Sequence, residues 1–318
     1  MRIVLVIVMV LLLTMPTVAA PILDGALDGD NSYGAAKTFQ TVQTGFGDNF
    51  NELNAAYAVI DNGVLHLMIT GNIESNHNRL EIFVDSVPGG QNQLDNNAST
   101  PINDGWAAPF AGFTFDSGFT ADYMLIARRP NATTFNLDLA TIGGGPAAYE
   151  QGLNAFGGAS VGTNPNALPI AGVGVAYSNG NTAGVGGGAP AAATMASALS
   201  ATLGLELAIP LSAIGNPAPG TEVRIVAMIN GNDHNYLSNQ FLPGLPAPQG
   251  NLGGDGNGNF NFSVGLINLN NYAGNQYFTV EIPELLVPEL SSFALAGMAL
   301  GSALMRGRLR RDRSPRSR

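Results

Sequence analysis

Apolar and polar residues alternate most clearly between Ala55 and Asn92. Tyr57–Ile60 ends one run, Asp61-Asn62-Gly63 follows, and Val64–Thr70 forms the next. In it Leu65, Leu67 and Ile69 share one face and His66 and Met68 the other. A period of two reads as β-strand. Asn-Gly between two such runs reads as a hairpin turn, because both residues tolerate positive φ. A third run sets Leu80, Ile82 and Val84 against Glu81, Phe83 and Asp85. The three runs predict the centre of one half-buried antiparallel sheet. Strands are also predicted over 123–129, 135–141 and 171–178.

The pattern sharpens again at Ala201. Leu203, Leu205, Leu207 and Ile209 alternate with Thr202, Gly204, Glu206 and Ala208. Pro210 then opens and Gly215 closes a single helical turn. Thr221–Asn230 places Val223, Ile225, Ala227 and Ile229 on a buried face, and Phe278–Ile282 supplies a last strand. Gly143–Ser197 is dominated by Gly, Ala, Asn and Pro, which predicts long loops. About nine or ten strands, few helices and no βαβ alternation define the fold class: all-β, one antiparallel β-sandwich with long Gly- and Asn-rich loops.

Composition agrees. Only 11% of the 318 residues are charged, and 41 are Gly. Cysteine is absent, so no disulfide staples the fold; a body of this length can bury enough apolar surface without one. The net charge of −10 is unevenly placed: seven of the thirteen basic residues lie between Arg306 and Arg318. Residues 21–286 hold only Lys37, Arg79, Arg128, Arg129 and Arg224 against twenty-one acidic residues. Such a body offers no basic surface to phosphates, which excludes nucleic acid as a partner.

The two ends carry addresses. Residues 1–20 place Arg2 before an apolar run, Ile3–Leu13, and then small residues. That order is a secretory signal helix, with cleavage at Ala19 or Ala20. The other end reads Val287-Pro288-Glu289-Leu290-Ser291-Ser292, then thirteen mostly apolar residues from Phe293 to Met305, then an Arg cluster. This three-part tail, residues 287–318, resembles the PEP-CTERM sorting signal of bacterial exosortase substrates. Leu290 stands where that family has a second Pro. The resemblance implies a membrane-embedded sorting enzyme of the exosortase type as a partner, and a short hydrophobic helix that holds the chain in the membrane before processing. Read without it, the tail is a plain anchor with its Arg run on the cytoplasmic side. Both readings place the body outside the cytoplasm, in the envelope, at the cell surface or beyond.

Leu23, Asp24, Gly25, Leu27, Asp28, Tyr33, Gly34 and Ala36 open the body. Asp61–Leu67, Glu81–Asp85 and the Glu206-Leu207-Ala208-Ile209-Pro210 string follow in order. Together they resemble secreted β-sandwich domains of the family-9 carbohydrate-binding-module and DOMON type. The resemblance implies a sandwich over residues 21–286 and a saccharide as ligand.

Candidate chemistry is sparse. Gly158-Ala159-Ser160-Val161-Gly162 matches G-x-S-x-G, yet the flanking residues lack the strand and helix that a nucleophile elbow needs. His66, His77 and His234 are the only histidines, and none has metal-ligand spacing. Asp255, Asn257 and Asn259 have the D-x-N-x-N start of a calcium loop, while Phe260 and Leu266 stand where the EF-hand pattern has Gly and Glu. An Asx-rich turn without metal is the other reading, and Asp28 with Asp30 forms a similar pair. Asn232, Asp233, His234 and Tyr236 follow a strand, at a sheet end where loops carry function. Trp106 could stack on a sugar ring or be core. The sequons at Asn97, Asn131 and Asn261 carry no weight in bacterial export.

The expectation is therefore an exported surface or matrix protein, not an enzyme, that binds exopolysaccharide through Trp106, Asn232, Asp233, His234 and Tyr236. It needs no cofactor unless Ca²⁺ binds the 255–259 turn. The alternatives are a surface hydrolase and a structural envelope protein without a small ligand.

Overall fold

The computed structural model describes residues 20–27, 32–96, 105–143, 147–153, 160–161 and 172–284, with the side chains of 147–153 and 160–161 left out. Ala19, Asp28, Asp30, Asn97, Gly158, Gly162, Val287, Pro288, Glu289, the apolar run 293–305 and the Arg cluster lie outside the described residues. The chain divides into two units, Met1–Ile282 and Pro283–Arg318; only Pro283 and Glu284 of the second are described.

The strands are β1 (Thr38–Phe39), β2 (Glu52–Asp61), β3 (Val64–Asn72), β4 (Arg79–Asp85), β5 (Tyr123–Arg128), β6 (Phe135–Thr141) and β7 (Ala147–Leu153). They continue with β8 (Ser160–Val161), β9 (Gly174–Tyr177), β10 (Gly204–Pro210), β11 (Glu222–Asn230), β12 (Leu237–Leu242) and β13 (Phe278–Glu281). The helices are short: α1 (Ala107–Phe110) and α2 (Met195–Ala198). The first sheet runs β1-β2-β3-β10-β9-β8 and the second β12-β11-β4-β5-β6-β7, with antiparallel pairing throughout. β12 and β13 share one edge of β11: β13 pairs with Glu222–Ile225 and β12 with Ala227–Asn230. The protein is an all-β sandwich.

The hairpin read at Asn62-Gly63 is present, with φ of 48° and 78°, and β2 pairs with β3 around it. The predicted helical turn is the 3₁₀ turn Leu211–Ile214, closed by Gly215 in the left-handed region. The predicted faces meet between the sheets. Leu65, Leu67, Ile69, Leu205, Leu207 and Ile209 pack against Leu80, Ile82, Val84, Val223, Ile225, Ala227 and Ile229, all buried. Leu203 lies outside this core and is half-buried.

One expectation is overturned. β4 does not lie beside β3. The chain crosses after Asn72 into the second sheet, where β4 pairs with β11 and β5. Nor is it half-buried, since all seven of its residues are buried. The reason is a second apolar layer. Phe83, Met124, Ile126, Val226 and Met228 face away from the first sheet, and Trp106, Phe110, Phe113, Phe115 and Phe119 cover them from the loops. The rings pack edge to face, with Phe83–Phe115 at 4.9 Å and Phe113–Phe115 at 5.0 Å between centroids. The segments 105–121 and 245–269 thus form a third layer. β1, β7, β8 and β12 stand where the sequence pattern predicts no strand, and β7 and β8 lie within 143–197, where it predicts loops.

β2 owes its face to a bulge. Leu53 pairs with Gly71 and Ala55 with Thr70, so one extra residue, Asn54, switches parity. Leu53 and Ala56 then both reach the core. Gly71 sits opposite with φ 149°, and a Cβ there would stand 2.1 Å from the Glu52 carbonyl oxygen. Only glycine permits that approach.

The two stretches that carry the sandwich resemblance meet at one carboxylate. Glu206 of β10 is buried. It accepts from the Tyr33 hydroxyl at 2.6 Å and from the Asp24 and Gly25 amides at 2.8 Å. Burial pushes its carboxyl above the usual range, and these donors oppose the shift. A raised folded-state value means that its contribution is fully present below the unfolded value and lost as pH rises through the folded one. The stability advantage of wild type over Glu206→Gln is therefore expected to be largest in acid and to shrink as pH rises above the ordinary glutamate range of about 4. Thermal melts of both proteins from acid upward measure it, and a gap that widens with pH contradicts the assignment.

Candidate functional site

Asn230 ends β11 and organises the turn that follows. Its Oδ1 accepts from the Gly231 and Tyr236 amides at 2.9 and 3.0 Å, and its Nδ2 donates to Glu81 at 3.1 Å. The His234 amide donates back to the Gly231 carbonyl at 3.1 Å. His234 itself has φ 58°, a conformation that side-chain-bearing residues rarely adopt. A buried contact holds it there: Nδ1 lies 2.5 Å from Oε1 of Glu81. His234 and Glu81 are 1% and 0% exposed. The turn is thus pinned from beneath, and Asn232 and Asp233 stand exposed at its tip.

This pair belongs to a polar patch on the outer face of the second sheet. Arg79 of β4 stands opposite Arg128 of β5, and Arg128 is ion-paired with Asp138 of β6. All three are buried. Charges with so little exposure must be partnered, and they are placed beside Glu81 by strand register alone.

Tyr236 is half-buried. Its ring stacks on Phe46 at 5.9 Å with planes 14° apart. Its hydroxyl donates to the Gly258 carbonyl at 3.1 Å. That bond joins the 231–236 turn to the 255–259 turn, so two of the predicted groups form one face. Phe46 lies on a loop fastened to the same strands. The Gly45 amide donates to Asn239 Oδ1 at 3.0 Å, and Asn251 Nδ2 donates to the Gly45 carbonyl at 3.2 Å.

Asp255 organises its own turn. Oδ1 accepts from the Asn257 and Asn259 amides at 2.9 and 3.1 Å, and Oδ2 from Asn259 Nδ2 at 2.8 Å. These donors, led by the Asn259 side chain, hold the exposed carboxyl below its usual range. Asn259 turns its amide nitrogen toward Asp255, and both carboxylate oxygens are engaged. This donor set does not fit a calcium ion as arranged; it is an Asx turn. Among the described residues no group of three or more His, Cys, Asp or Glu could hold a metal. Gly253 precedes the turn with φ 62°, and a Cβ there would stand 2.5 Å from the Asn259 carbonyl oxygen.

Trp106 and His234 are not presented to a ligand. Trp106 is 3% exposed and packs edge-on against Phe110, which in turn meets the His234 ring. Both support the face from behind. Ser160 of the G-x-S-x-G match lies in strand β8, opposite Val175, and not at the strand-to-helix turn that a nucleophile elbow requires. Glu81 and Phe46 had no signal in the sequence. Glu81 reads as the wet face of a strand, and its partner is 153 positions away.

No family model, no curated protein and no solved structure matches this chain.

Removing the Glu81 carboxylate would leave buried donors of Asn230 and the His234 ring facing a gap. Glu81→Ala is expected to lose at least about 2 kcal/mol of stability by denaturant unfolding. A loss below about 0.5 kcal/mol, the range of surface substitutions, contradicts the pinning role.

Proposed function

We propose that this chain is an exported surface or matrix protein, sorted through its C-terminal tail, whose sandwich binds polysaccharide without catalysing a reaction on it. The observation that carries the binding reading is the Phe46–Tyr236 stack, flanked by exposed Asn232 and Asp233 and joined to the Asx turn at Asp255. Stacked aromatic carbon beside amide and carboxylate groups suits a sugar, which has an apolar C–H face and a rim of hydroxyls. The buried charged side chains favour support over chemistry. Glu81, His234, Arg128 and Asp138 are buried and occupied with one another.

Export rests on the two ends. The order Arg2, apolar run, small residues fits a cleaved signal. The order Pro288-Glu289, apolar segment 293–305, Arg cluster fits retention at the membrane followed by release or transfer by an exosortase-type enzyme. Among the described residues no helix is long and apolar enough to cross a membrane. The Arg cluster resists translocation and would hold the acidic body on the far side until the tail is cut.

Mass spectrometry of the surface form tests the sorting half. The expected mature chain begins at Ala20 or Pro21 and lacks the Arg cluster. A surface form that keeps Met1, or one that keeps Arg318 and stays in the membrane, contradicts it. The binding half is tested by affinity electrophoresis through polysaccharide gels. Tyr236→Ala is expected to migrate without the retardation of wild type, and unchanged retardation contradicts the site.

A further inference from the structure

Beyond the Asx turn the chain displays two phenyl rings. Phe260 and Phe262 are 53% and 77% exposed, and Leu266 is 71% exposed. The rings meet edge to face with centroids 4.6 Å apart and planes at 65°. Phe262 adopts φ 64°, a conformation unfavourable for a side chain of its bulk. The fold thus holds a strained backbone and exposes apolar carbon at the same place.

The segment is fastened. Val264 and Ile267 are buried in the aromatic layer. The Val264 amide and the Ser263 hydroxyl both donate to the Pro109 carbonyl, at 2.9 and 2.8 Å. Asn261 Oδ1 accepts from the Ser263 amide at 3.1 Å. The rings therefore stand on fixed backbone, two and four residues beyond the Gly258 carbonyl that receives Tyr236.

We infer that Phe260 and Phe262 form the stacking platform of the polysaccharide site, and that its ligand is a neutral glycan. This deepens the polysaccharide reading and rests on it. Charge selects the ligand. No Lys or Arg occurs between residues 225 and 305. Of the five cations of the body, Arg79, Arg128 and Arg129 are buried. Lys37 and Arg224 line a separate groove of about 630 Å³ with Tyr277 and Thr279. Among the described residues a uronate or sulfated sugar would find no cation at the platform, and Asp233 and Asp255 would repel it. Size argues against a second copy of the chain as occupant. Phe260, Phe262 and Leu266 together expose on the order of 400 Å², against about 800 Å² per partner in a stable complex.

The test is affinity electrophoresis of the mature secreted protein through gels holding hydroxyethyl cellulose or galactomannan, both neutral, or polygalacturonate. Circular dichroism confirms that each variant is folded. Wild type should be retarded by at least one neutral gel and not by polygalacturonate. Phe260→Ala and Phe262→Ala should each weaken the apparent affinity about tenfold, the ratio expected when one phenyl face is lost. Phe262→Gly, which suits positive φ, should weaken binding as much as Phe262→Ala while remaining as stable as wild type. Retardation of the phenylalanine variants equal to wild type overturns the platform, while a loss in Tyr236→Ala alone keeps the wider site. Retardation by polygalacturonate alone overturns the neutral ligand and keeps the polysaccharide reading. Retardation by none of the gels overturns both. Self-association or vesicle binding by wild type that Phe262→Ala abolishes assigns the rings to another occupant and overturns the inference.

Discussion

Burial of the centre of the second sheet, β4 with β5 and the second half of β11, on both faces is the constraint on which the rest depends. A sandwich needs only one dry face per sheet, and its other face can meet water. Here β4 has no wet residue, and Phe83, Met124, Ile126, Val226 and Met228 on the outer face of β4, β5 and β11 lie beneath phenylalanines contributed by loops. Every polar group on that face must then find a partner inside the protein. Glu81 finds His234 and Asn230, and Arg128 finds Asp138. The same demand accounts for the asparagines. Asn92 Nδ2 lies within bonding distance of the Phe115, Asp116 and Phe119 carbonyls. Asn239 Nδ2 donates to those of Gln43 and Gln249. Buried and half-buried side-chain amides take the place that strand ladders hold elsewhere, and they let loops pack as a layer without cysteine.

The loop end inherits its order from that layer. The 231–236 turn is held by a buried histidine, the 255–259 turn by its own aspartate, and the segment after it by Val264 and Ile267. None of these anchors touches a ligand in the proposed site. They fix the Phe46–Tyr236 stack and the Phe260–Phe262 pair, so that binding would order little new chain and lose little entropy.

The inner core was legible in the sequence, because period-two alternation in β3, β10 and β11 reports directly which side chains face inward. Sheet membership was not. The alternation of Leu80–Asp85 states a face and not a neighbour, and its neighbour β11 lies some 140 residues on in the chain, joined by the pairing of Arg224 with Asp85. β12 escaped notice because Ser238, Asn239 and Gln240 look solvated, yet all three are fully buried. The site was legible in part. The chemistry of 232–236 and 255–259 singles out two loops that the fold brings together, and the Tyr236–Gly258 bond that joins them is invisible in either segment. For Trp106, open in the sequence between sugar stacking and core, and for His234, residue type says nothing about burial, and both are buried. Phe260 and Phe262 were passed over for the converse reason: a phenylalanine is expected inside, and only the fold reveals that these two are outside.

Native-state hydrogen exchange tests the central claim that the loops over the second sheet are a fixed layer. The amides of Gly253, Val264 and Leu269 donate to the carbonyls of Leu237, Pro109 and Thr114 at 2.9 Å each. If the layer is part of the core, these amides should exchange as slowly as those of β11 and open only with global unfolding. Exchange at the rate of an unstructured chain, with β11 still protected, would contradict the account.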